Sequence, residues 1–226
     1  MERGSAPPGD ASMQGREAHA VNVDGLDEAT RELVELSIVI ATAREPELRA
    51  GMHRAAAAKL NPVWVEELIL QSYIFAGFPR ALNAAREWRR ESGIRAPRAD
   101  DDAVDRYELW RERGEETCAL VYGEVYERLR SNIRELHPAL DEWMIVEGYG
   151  KLLGRQGLDL RRRELCIVAV CGALEQERQL HAHLRGALNA GATPAEISDT
   201  LAIVARHVAA DAASRFAQLW NRIGKK

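Results

Sequence analysis

Cysteine is scarce in this chain of 226 residues, and the three present, Cys118, Cys166 and Cys171, include no CxxC pair. An odd, scattered set excludes a disulfide framework. Cys166 and Cys171 lie in the apolar segment ELCIVAVCGAL and read as small buried hydrophobes. Long apolar runs are missing too: none approaches the roughly 18 residues that a membrane-spanning helix needs. No apolar signal region follows Met1, so a cytoplasmic location is the expectation. Neither sign of charge dominates, with 31 Lys and Arg against 35 Asp and Glu and a net charge of −4. That balance leaves no electrostatic footprint for nucleic acid or an anionic membrane. Alternating β-branched segments are nearly absent, whereas alanine, leucine, glutamate and arginine abound. The composition therefore predicts an all-α chain.

What is present is a repeat. Shifting the chain by 132 residues lays LDEATRELVELSIVIATAREPEL (26–48) on LDLRRRELCIVAVCGALEQERQL (158–180) without a gap. Leu26 meets Leu158, Asp27 meets Asp159, Arg31 meets Arg163, Glu32 meets Glu164, and the register holds as far as Pro62 and Pro194. A fixed offset over such a length marks two tandem copies of one helical unit. Each copy reads as three helices, the third starting at Pro62 or Pro194, with Asn61 and Thr193 as N-caps. Residues 1–23, rich in Gly, Pro and Ser, are expected to form a disordered tail. SGIRAPRADDDAV (92–104) breaks the pattern between the halves. The expected organisation is a first copy over 24–97 and a second over 98–226, the latter with leading helices. Neither unit can bury its apolar faces alone, which predicts superimposable copies related by a pseudo-twofold axis.

Two side chains stand out by register. On the helix from Asp159, Glu164 shares a face with Ile167, Val168 and Cys171. A carboxylate on an apolar stripe needs a partner, so Glu164 is either a proton-transfer group or half of a structural ion pair. On the next helix His183 flanks the seam of Leu180 and Ala187, while His181 lies on the opposite flank with Arg185. His183 could act as a general acid or be a hydrogen-bonded structural residue. The two histidines diverge by about 200° on a helix and no third ligand is spaced to join them, so no metal is expected. Consecutive antiparallel helices should bring Glu164 and His183 within hydrogen-bond reach. Arg163, on a stripe with Ile167 and Val170, should instead point toward a neighbouring helix or subunit.

GLDLRRRELCIVAVCGALEQERQLHAHLRGALNAGATPAEISDTLA resembles the carboxymuconolactone decarboxylase family. The segment has that family's Arg-Glu-Leu helix start, an acidic turn, H-x-x-x-A and then G-x-T-x-x-E-I. HPALDEW and YGKLLGRQGLD upstream are similar to members of the family, and YIFAGFPRALNA (73–84) resembles its closing Y-A-G-x-P-x-A helix. The resemblance implies a lyase without cofactor, acting on a small acidic lactone or a related metabolite of aromatic catabolism. Glu164 and His183 would be its catalytic pair. Arg163 or Arg155 would hold a substrate carboxylate, and Tyr149 and Trp143 would line the pocket. The resemblance also implies a homo-oligomer, with a trimer favoured, and Ile69, Tyr73, Phe75 and Phe78 are the apolar residues offered to it. Two alternatives remain: a catalytically idle helical oligomer, and an alkylhydroperoxidase-like protein without its redox pair. In the latter's C-x-x-C-x-x-x-H motif the cysteine positions fall on Gln176 and Gln179, and a thiol peroxidase needs a thiolate. In the first copy Gly51 stands opposite His183. One site per chain is therefore expected, with the first copy supplying packing or a wall.

Overall fold

Asp27 and Asp159, equivalent in the repeat, cap the first helix of each copy in a computed structural model that describes residues 25–97 and 106–223. Their carboxylates accept the backbone N–H of Thr30 and Arg162 at 2.8 and 3.0 Å. The first copy comprises α1 (Glu28–Thr42), α2 (Glu45–Ala57), α3 (Pro62–Phe75) and α4 (Phe78–Ser92). An insert follows: α5 (Tyr107–Tyr122), α6 (Tyr126–Leu136), α7 (Pro138–Trp143) and a π-helix at Met144–Leu153. The second copy is α8 (Leu160–Ala173), α9 (Glu177–Asn189), α10 (Pro194–Val204) and α11 (Ala210–Ile223). No strand occurs among the described residues. The tail expected over 1–23 lies outside them, and the break at 92–104 is described only as far as Pro97.

Glu28, Glu45, Pro62 and Phe78 open the helices of the first copy, and Leu160, Glu177, Pro194 and Ala210 those of the second, at the same 132-residue offset throughout. Each copy thus has four helices rather than the expected three. Gly77, at φ +92°, turns the chain between α3 and α4 without the penalty a Cβ would bring. In α4 the buried Trp88 donates its indole N–H to Glu66 at 2.8 Å, and α11 buries Ala212, Phe216, Leu219 and Ile223. The expected caps at Asn61 and Thr193 form, and at Thr193 the Glu196 carboxylate completes a capping box.

The copies pack around α1 and α8, and the contacts between them are reciprocal: α1 meets α10 as α3 meets α8. Thr30 and Arg162 are equivalent positions that bond to each other, Nε to Oγ1 at 2.8 Å, as residues beside a pseudo-twofold axis can. The same symmetry pairs Arg31 with Asp199 at 2.8 Å and Arg163 with Glu67 at 2.7 Å. Leu33, Ile38, Leu68, Leu165, Ile167 and Leu184 belong to one continuous core spanning both copies. Burial of these faces against each other, at about 25 cal/mol per Å² of apolar surface, is what neither half could achieve alone.

The insert closes one side of the second copy. Helix α5 and the π-helix lie so near that a Cβ on Gly114 would meet the backbone of Ile145, and one on Gly150 the backbone of Trp110. The wide π turn is a geometry often found at functional sites. Here it carries Tyr149 into the interior, 4% exposed.

Candidate functional site

Glu164 leaves α8 one turn after its capped start, and His183 leaves α9 at the position facing it. The His183 Nδ1 lies 2.8 Å from Glu164 Oε2, with the glutamate wholly buried and the histidine 5% exposed. Their approach depends on Gly186, one turn beyond His183. A Cβ there would fall 2.7 Å from Glu164 Oε2 and 2.7 Å from a Val121 methyl. The other oxygen, Glu164 Oε1, is buried with no hydrogen-bond partner among the described residues. Phe75, from the first copy, sets its ring edge against the imidazole at 5.7 Å between centroids. An ionised carboxylate only accepts, so in that form of the pair Nδ1 carries the proton and Nε2 is left for whatever occupies the space beyond.

That space is a cavity of about 950 Å³ lined by His183 and by Phe75, Tyr122, Leu129, Trp143 and Tyr149 among others. The walls come from α3, the α5–α6 corner, α7, the π-helix and α9, so both copies and the insert build it. Tyr149 forms part of the inner wall, whereas Trp143 stands at the rim, 61% exposed. Burial pushes the phenol of Tyr149 well above its ordinary pKa and that of Tyr122 in the same direction, with the charge of Glu164 adding to both. The rings pack edge to face at 6.0 Å. Both therefore remain neutral at neutral pH, and their side chains hydrogen-bond to each other. Tyr122 lies in VYG, a stretch similar to members of the family, but was not among the expected site residues, because its insert has no counterpart in the first copy. Gln179, at one of the vacated cysteine positions, also lines the cavity.

Arg163 and Arg155 are placed elsewhere. Arg163, with no exposed surface, donates to Glu67 at 2.7 Å and to the carbonyl of Leu158 at 3.0 Å. Arg155 meets both Glu67 oxygens through Nε, at 3.2 and 3.0 Å. Neither lines the His183 cavity. Arg163 does point to a neighbouring helix, α3, where it clasps the two copies together. Its symmetry mate, the Arg31–Asp199 pair, has the same cross-copy role. The corresponding point in the first copy is filled: a Cβ on Gly51 would come within 2.8 Å of Val39, which stands where the second copy has Cys171.

Compared with known proteins, the chain matches the profile described as "Carboxymuconolactone decarboxylase family" over residues 10–90 and 138–222. The chain belongs to the carboxymuconolactone decarboxylase family. The two matched stretches correspond to its two copies. Over 185 residues it is also 25% identical to "Peroxisomal protein 2" of Schizosaccharomyces pombe (strain 972 / ATCC 24843), covering 77% of this chain and 84% of that protein.

Proposed function

We propose that this family member is a cofactor-independent enzyme of the decarboxylase type, a lyase acting on an organic acid, with His183 as general acid and Glu164 as its orienting partner. The observation that supports this most is the buried 2.8 Å contact between them at the wall of a cavity. In such a reaction the bond between carbon and the departing carboxylate breaks, and its electron pair passes through a conjugated system onto a carbonyl oxygen. Carbon dioxide leaves, and the imidazolium Nε2–H delivers a proton to carbon. Glu164, accepting from Nδ1–H, holds the ring in register and steadies its positive charge. Tyr122, kept neutral and hydrogen-bonded to Tyr149, is a donor suited to the developing enolate oxygen. Trp143 would cover the mouth. Loss of carbon dioxide from a panel of lactone carboxylic acids tests the reading. His183→Ala should lower turnover by at least about 10²-fold, while retention within threefold would discard His183 as the acid.

Assembly into a homo-oligomer, a trimer first, is part of the proposal. Phe78 and Leu82 are 59% and 52% exposed on α4, next to Leu70 and Ile74 of α3. Ile69, expected to help, is instead 4% exposed and belongs to the chain's own core. Among the described residues no helix is long and apolar enough to cross a membrane. A cytoplasmic site of action remains the proposal, with the name of the fission-yeast relative pointing to the peroxisome as the other compartment.

A further inference from the structure

On the other side of Tyr122 and Leu129 from His183 lies a second cavity, of about 620 Å³. It is bounded by the α5–α6 corner, α6, α9 and the end of α11, and it shares Tyr122, Leu129, Asn132 and Ala182 with the first cavity as common lining. Its polar side chains include Arg128, His181 and Arg185, against a single acid, Glu124. His181 and Arg185 stand one turn apart on α9, on the flank away from the Glu164 contact.

The chain pairs most of its arginines. Arg31, Arg49, Arg89, Arg130, Arg163 and Arg215 all meet carboxylates. Arg128 and Arg185 have no ion-pair or hydrogen-bond partner among the described residues. Two such guanidinium groups lining one cavity, Arg128 from α6 and Arg185 from α9, gain most from a ligand with two or more anionic oxygens, which each can grip bidentately. The first cavity also has charged residues in its lining, Glu147 and Arg178, but a larger apolar face. Leu129, Ile133, Leu136, Leu140, Trp143 and Met144 dominate one side of it. About 950 Å³ is the capacity of a drug-sized molecule, more than a compact lactone would fill.

We infer that the ligand is an elongated amphipathic acid, whose carboxylate or phosphate end is held by Arg128 and Arg185 and whose apolar body runs past Tyr122 and Leu129 into the His183 cavity. This deepens the proposed function, since it rests on His183 standing at the reacting end, where the carboxylate to be lost is a second acid group, beyond the apolar body and distinct from the one that Arg128 and Arg185 hold. Its test needs no turnover. Calorimetric titration of the full chain with decanoate, decyl phosphate and decanol separates headgroup from chain. At least one of the two acids should bind tenfold or more tightly than decanol, and the better one identifies the headgroup. Replacing both Arg128→Gln and Arg185→Gln should weaken the preferred acid about tenfold and leave decanol unchanged, with an unaltered melting curve. His183→Ala should keep acid binding within threefold. Intact acid binding without any turnover would thus remove the enzymatic reading alone. Equal affinity for decanol and both acids overturns the inference, as does an unaffected double variant. So does loss of the acid on Arg178→Gln instead, that arginine lying in the His183 cavity. Binding that falls as protein concentration rises overturns it too, by assigning the apolar cavity to a second copy of the chain.

Discussion

The two cross-copy clasps are equivalent in sequence but not in surroundings, and the difference in cost between breaking them is calculable. In the Arg163–Glu67 pair the side chains are 0% and 7% exposed, and in the Arg31–Asp199 pair 42% and 36%. Glu67→Ala leaves the wholly buried Arg163 guanidinium without its carboxylate and with only neutral acceptors, among them the Leu158 carbonyl. Burial already pulls the pKa of Arg163 below its ordinary value, against the hydrogen bond that the guanidinium donates to Glu67. Removing one partner of a buried pair costs about 3–5 kcal/mol. Asp199→Ala breaks a half-exposed pair worth about 0–1 kcal/mol, and it also frees the backbone N–H of Leu26, which donates to Asp199 at 3.1 Å. That loss adds about 1 kcal/mol. Urea denaturation of both variants should therefore show Glu67→Ala less stable than Asp199→Ala by roughly 1–4 kcal/mol. Losses equal within 0.5 kcal/mol, a margin set by ordinary mutational scatter of about that size, would refute the reasoning. Arg163 would then have to find water or another acceptor on losing Glu67. It would again be a candidate to hold a substrate carboxylate.

Burial pushes the thiols of Cys118, Cys166 and Cys171 up to about 12 from 9.0. Ellman's reagent at pH 8 should leave all three untouched in the folded chain and titrate three after unfolding. Because the neutral thiol is favoured when folded, stability present below pH 9 should decline as pH rises from about 9 toward 12, and a flat denaturation midpoint there would contradict it. Gly150→Ala drives a methyl into the Trp110 backbone. It should cost about 1–3 kcal/mol or more by overpacking, despite alanine's better helix propensity, with a neutral melting shift as the opposing result.

Much of the chain's organisation was legible without coordinates, because local physics wrote it into a single repeat. The caps at Asn61 and Thr193, and the register that turns Glu164 toward the next helix, depend on residues within a few turns of one another, and the 132-residue offset repeats them. The pairing of Glu164 with His183 follows from two adjacent helices and a short turn, which leave few ways to pack. The fourth helix of each copy was missed. Its opening motif was visible as YIFAGFPRALNA, but its counterpart, VAADAA (208–213), has no matching signal. Only the tertiary structure decided what surrounds the pair. Nothing in the sequence near Arg163 distinguishes a guanidinium aimed at substrate from one aimed at Glu67, 96 residues away. Nor could Tyr122 and Phe75 be assigned to the His183 cavity, for the first rides on an insert and the second on the other copy. Periodicity along a helix states which face is apolar; which partner covers that face depends on long-range packing, and that is settled only when the whole core closes.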